Sequence, residues 1–125
     1  MKYDLENRTT KFARAVIDLV RKIPASTVNT ILIRQIIRSA TSIGANYREA
    51  NHASSKRDFI NKIHICRKES NETLYWLEML QYSCPNNKLP YKDLIQESLE
   101  LTLIFSKISR TSSASFKNSD LKIRN

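Results

Sequence analysis

Turn-forming residues are nearly absent from this chain, which has one glycine and three prolines in 125 residues. A sheet protein of this length needs a turn every ten residues or so, and those turns draw heavily on glycine and proline. The apolar residues recur at three- and four-residue spacing instead, the signature of helices that bury one face. Pro24, Pro85 and Pro90 fall between the apolar stretches and divide the chain, since proline stops a helix by removing a donor and crowding the preceding turn.

Four helices follow from this partition. The first starts at Asp4, an N-cap residue type, and lines up Leu5, Phe12, Val16, Leu19 and Ile23 before Pro24, with its arginines facing away. The second begins at Ser26 or Thr27 and runs to about Asn51, with Leu32, Ile36, Ile43, Tyr47 and Ala50 on one stripe. Ser55, followed three residues later by Asp58, is a weak capping box that opens the third. Phe59, Ile63, Cys66, Ser70, Leu74, Leu77 and Leu80 then share a side until about Ser83. The fourth follows Leu89-Pro90 and gathers Leu94, Ser98, Leu101, Thr102, Phe105 and Ile108.

Short connections make sequential helices antiparallel neighbours, so the expected fold is all-α, an up-down-up-down four-helix bundle over residues 1–109. Residues 110–125, rich in Ser, Lys and Asn, are expected to form a basic disordered tail in which Phe116, Leu121 and Ile123 are the only docking candidates. The helices carry more apolar surface than one core needs. Ile33 and Ile37, with Gly44, flank the stripe of the second helix, and Leu99, Leu103 and Ile104 lie off the stripe of the fourth. This surplus is either a wide buried face or the interface of a homo-oligomer.

The formal net charge is +9 with a pI near 9.8, and the excess lies at the two ends of the chain. An acidic partner is therefore expected, RNA or DNA before a membrane, because no helix pairs a basic face with a large exposed apolar one. The absence of a secretory signal pattern and of a membrane-spanning apolar run leads to an expected cytoplasmic location. Cys66 and Cys84 are read as reduced thiols.

Catalytic chemistry finds no footing. Glu49-Ala50-Asn51-His52 is one Glu-x-x-His step, a di-iron bundle needs two, and His52 points away from the core. His64 and Cys66 project about 200° apart on one helix and cannot share a metal. No glycine-rich phosphate loop is present. No metal, no cofactor and no enzymatic activity are expected.

Two surfaces suit a polyanion. On the second helix Arg34, Arg38, Thr41, Arg48 and His52 form a ridge opposite the core stripe. On the third, Arg57, Asn61, His64, Lys68, Asn71, Tyr75 and Tyr82 alternate cations with amides and stackable rings. Asn46, Glu49 and Glu69 are expected to be structural, tying the second and third helices together by hydrogen bonds. The function this pattern predicts is non-enzymatic binding of nucleic acid, with RNA favoured, by an oligomer. The alternative is a protein–protein adaptor that presents Tyr75, Met79 and Tyr82 while its charge serves solubility.

Three runs sharpen the expectation: Gln35 to Ala50 (QIIRSATSIGANYREA), Ser55 to Lys62 (SKRDFINK) and Lys68 to Leu77 (KESNETLYWL). Together they resemble the four-helix-bundle family encoded in intervening sequences of bacterial 23S rRNA genes. The resemblance implies a ring-shaped homo-oligomer, commonly a pentamer, and kinship with the accessory variability proteins of diversity-generating retroelements. Those relatives are basic and bind nucleic acid and a reverse transcriptase, so a reverse transcriptase or a ribosomal component is an implied partner.

Overall fold

The computed structural model describes residues 4–124, with side chains through Ser115. It contains α1 (Leu5–Val20), α2 (Thr27–Asn51), α3 (Lys56–Ser83) and α4 (Tyr91–Arg124), and no strand among the described residues. Each of the first three helices opens on a side-chain cap. Asp4, Ser26 and Ser55 accept from the backbone N–H groups of Asn7, Asn29 and Asp58, satisfying donors that the first helical turn leaves orphaned.

Consecutive helices run antiparallel. Between α2 and α3 the hydroxyls of Ser39 and Thr73 meet at 2.9 Å, the Cys66 thiol reaches the Ile43 carbonyl, and Ser83 donates to Asn29 at 2.6 Å. Positions that rise along one helix thus pair with positions that fall along the other. Between α3 and α4 the same sense is set by His64 beside Ser109 and by Lys56 donating to Ser115. Tyr91, 2% exposed, donates its hydroxyl to the Cys84 carbonyl at 2.9 Å and so fastens the start of α4 to the end of α3.

The core follows the stripes read from the sequence. Leu5, Phe12, Val16 and Leu19 of α1 meet Ile36, Ala40 and Ile43 of α2, Ile63, Cys66, Leu77 and Leu80 of α3, and Leu94, Leu101 and Phe105 of α4. Tyr47 is only half buried, its ring tilted against Phe105 with centroids 5.8 Å apart. Gly44 is part of the α1–α2 contact rather than an outward flank. A Cβ there would lie 3.0 Å from Thr9 Oγ1, so the missing side chain lets the two backbones approach closely.

Two expectations are corrected. Ser109 does not end the fourth helix, which continues without interruption through residues 110–115 and on to Arg124. No glycine or proline follows Pro90, so no residue type there breaks the helix. Ser109 is itself buried, so packing carries the helix across the expected boundary. The side chains of Phe116, Leu121 and Ile123 lie outside the described residues. The arginines of α1 do not all face away either: Arg8 turns to α4 and holds Glu97 through two bonds of 2.7 and 2.8 Å. A guanidinium fork recognises a carboxylate in this bidentate way.

Candidate functional site

The ridge read on α2 is largely occupied by intramolecular pairs. Arg38 reaches across to α3, where one guanidinium nitrogen lies 3.2 Å from Glu69 and another bonds Glu72. Arg48 lies 4.0 Å from Glu6 and 3.4 Å from Thr10 on α1. Arg34 is exposed and has no ion-pair partner among the described residues. The three arginines are thus on one helix but not in one chemical state.

The polar residues expected to be structural divide in the same way. Glu69, its side chain 8% exposed, ties α3 to α2 through Arg38, and Glu49 ties α2 to α3 through Lys62 at 2.8 Å. Asn46 makes no such tie and returns its amide to the Ser42 carbonyl within α2. Burial pushes the Glu69 carboxyl above the usual carboxylate range, against the pull of Arg38. The hydrogen bond from Arg38 holds Glu72 below that range, more than offsetting its partial burial. The indole N–H of Trp76 is buried without a hydrogen-bond partner of good geometry, yet it is close enough to Glu72 to help keep that carboxylate ionised.

The outer face of α3 is more open. Arg57, Asn61, His64, Lys68, Asn71 and Tyr75 are all exposed along it. Of these, His64 lies 3.2 Å from Ser109 Oγ and so leans toward α4. Arg57 and Lys68 have no ion-pair partner among the described residues, nor has the neighbouring Arg67. Among the described residues of α3, the acids nearest this face are Glu72 and Glu78, at its flanks.

Two grooves border it. The α3–α4 groove, about 420 Å³, is lined by Arg67, Lys68, Asn71, Thr102 and Ser106 and contains no acid. The α2–α3 groove, about 570 Å³, holds the Arg38–Glu69–Glu72 cluster and the rings of Tyr75 and Trp76. Lys68 and Asn71 line both, so they form the saddle between them. Sequence reasoning missed Arg67, Thr102, Ser106 and Trp76 as site residues. Arg67 sits at the edge of the α3 face and Thr102 at the edge of a core stripe, and only the packing of α4 on α3 brings them into one groove.

The apolar surplus also resolves into two kinds. Ile33, Ile37 and Ile104 pack against the core, whereas Leu99 and Leu103 are 40% and 68% exposed on α4. Among the described residues no cluster of three or more metal-ligating side chains occurs, and no helix is long and apolar enough to cross a membrane.

Residues 1–111 match the 23S rRNA-intervening sequence protein family. The chain belongs to that family. It is similar to the crystal structure of a protein of unknown function from the S23 ribosomal protein family of Bacteroides thetaiotaomicron, with 36% identity and a TM-score of 0.75. The similarity covers 83% of this chain and 96% of that one. No match is found among curated proteins. In this family member both grooves and the whole exposed strip of α3 lie within the matched residues.

Proposed function

We propose that the protein binds single-stranded or looped RNA along the outer face of α3 and works as a homo-oligomer without catalysing a reaction. The observation that carries this reading is the contrast between paired and unpaired cations. Arg8, Arg38 and Lys62 are neutralised by carboxylates of the fold. Arg57, Arg67 and Lys68 keep their charge for an external partner, interleaved with Asn61, Asn71 and Tyr75. Cations supply sequence-independent phosphate affinity, while an exposed ring stacks on an unpaired base.

The hydroxyls of the α3–α4 groove favour RNA over DNA. Thr102 donates its only hydroxyl proton to the Ser98 carbonyl and Ser106 donates to the Thr102 carbonyl, each at 2.8 Å. Their oxygens are left as acceptors beside Arg67 and Lys68, matched to the 2′-hydroxyl that distinguishes ribose from deoxyribose. Membership of a family named for the intervening sequence of 23S rRNA accords with such a ligand. Self-assembly through the exposed Leu99 and Leu103 would array the strip and turn weak contacts into avidity.

The test is titration of nuclease-treated protein with labelled RNA at several salt concentrations, beside the triple variant Arg57→Glu, Arg67→Glu, Lys68→Glu. Each phosphate contact on a single strand contributes about 0.7 to the salt slope, so loss of three should lower it by about 2. A correctly folded triple variant with unchanged affinity and slope would refute the reading. The adaptor alternative rests on Tyr82, which is 87% exposed beyond the cationic strip. It gains if wild-type protein ignores RNA and a Tyr82→Ala change abolishes capture of a protein partner.

A further inference from the structure

We propose that the α2–α3 groove is a base-edge pocket that selects guanine from an unpaired stretch of RNA. This deepens, and rests on, the RNA-binding reading. The saddle of Lys68 and Asn71 lets a strand cross α3, with its backbone in the acid-free α3–α4 groove and a base turned into the α2–α3 groove. Lys68 and Tyr75 are seven residues apart on α3, about 10 Å along its axis, which separates a phosphate contact from a stacking contact on the same face.

The groove contains what a guanine edge requires. Tyr75 is 52% exposed and its ring is braced edge-on by Trp76, with centroids 5.0 Å apart and planes at 73°. A ring held in this way offers a face for stacking without first having to be ordered. Glu72 bonds Arg38 through Oε2, the Trp76 indole N–H lies near the carboxylate without a bond of good geometry, and the side chain remains 34% exposed. Arg38 therefore anchors the carboxylate without using all of its acceptor capacity. Glu69, almost fully buried, holds another nitrogen of the Arg38 guanidinium at 3.2 Å.

An ionised carboxylate only accepts hydrogen bonds. Guanine alone among the standard bases presents two adjacent N–H donors on its Watson–Crick edge, at N1 and at the exocyclic N2. Adenine and cytosine offer one amino donor beside a bare ring nitrogen, and uracil sets two carbonyls around its single donor. Each of those would turn a lone pair toward Glu72. A lone pair set against a carboxylate is repelled where a donor would be bound, and that difference is what discriminates the bases. A volume of about 570 Å³ admits one base with room for its ribose, within the range of about 300–1,000 Å³ usual for small-ligand sites.

The experiment measures binding of the full chain to labelled oligouridine carrying one central guanosine, inosine, adenosine or cytidine, at two salt concentrations. Inosine keeps N1–H and lacks the N2 amino group. Guanosine should bind about tenfold tighter than adenosine, cytidine or the uridine background, and inosine should lose most of that advantage, as expected for one charge-assisted hydrogen bond. Glu72→Gln, confirmed folded by its circular dichroism, should erase the guanosine preference while binding to the oligonucleotides persists. Equal, salt-dependent affinity for all four oligonucleotides would overturn the guanine assignment and leave RNA binding standing. Binding of none would overturn both. The inosine comparison uses the wild-type chain, so it decides the question even if Glu72→Gln disturbs the pair with Arg38.

Discussion

Gly44→Ala sets two effects of similar size against each other at the α1–α2 crossing. In a helix interior alanine is favoured over glycine by about 1 kcal/mol, and no glycine here has a positive φ that would strain it. Against this, the new methyl would lie 3.0 Å from Thr9 Oγ1 and 3.4 Å from Thr9 Cβ. Thr9 cannot easily move, being fully buried with its hydroxyl donated to the Leu5 carbonyl at 2.6 Å and β-branched and stiff at χ1. Overpacking of this kind costs about 1–3 kcal/mol, so Gly44→Ala should destabilise the protein by about 1 kcal/mol net. In a Thr9→Ala background the obstructing oxygen is gone, and the same change should stabilise by about 0.5–1 kcal/mol. The cycle of four proteins should then show a coupling of about 2 kcal/mol, measured by urea unfolding under far-UV circular dichroism at one fixed protein concentration. If Gly44→Ala stabilises the wild-type chain by its full propensity gain, the close approach of α1 and α2 is wrong.

Three further outcomes follow from the chemistry of the interior and the strip. The Cys66 thiol, fully buried, is pushed up to about 12 by desolvation, so a thiol reagent at mildly alkaline pH should leave Cys66 unmodified until the protein is unfolded. Rapid labelling of Cys66 in the native state, read by peptide mass, would contradict its burial. The Arg38 cluster predicts opposite pH effects from its two carboxylates. Glu72, lowered in the fold, contributes stability above the unfolded carboxylate pKa of about 4.3 that is lost as pH falls through its folded value. Glu69, raised by burial, contributes stability below that unfolded pKa that is lost as pH rises through its folded value. Glu72→Gln should therefore flatten the loss of stability on acidification and Glu69→Gln should steepen it, and identical slopes for the two variants would refute the assignment. Finally, Thr102→Val with Ser106→Ala should weaken binding to RNA several-fold and leave DNA of the same sequence unaffected, since only ribose carries the 2′-hydroxyl. An equal loss for both would remove the acceptor argument.

The elements and the core were legible in the sequence for a physical reason. Helical periodicity, proline breaks and side-chain caps are local, and here they agree: Asp4, Ser26 and Ser55 cap the helices that their positions announce. The same local logic failed at Ser109, where a drop in apolar content read as a tail but no breaker stood to end the helix. The exposed strip of α3 was also legible, because one helix fixes which of its own residues share a face.

What the sequence alone determined is the number of helices, their starts, their buried stripes and the basic, ring-bearing face of α3. Which cations remain available was decided only by the tertiary structure. Arg34, Arg38 and Arg48 share one arc of α2, yet Arg38 is held by Glu69 and Glu72 of α3, and Arg48 lies near Glu6 of α1. Residues about 30 to 40 positions apart along the chain supply those partners, and no pattern within one helix encodes them. The grooves arise in the same way: Arg67 and Ser106 become neighbours only because α4 packs antiparallel on α3. Periodicity is a property of one helix, whereas the state of a charge depends on what the neighbouring helix brings to it.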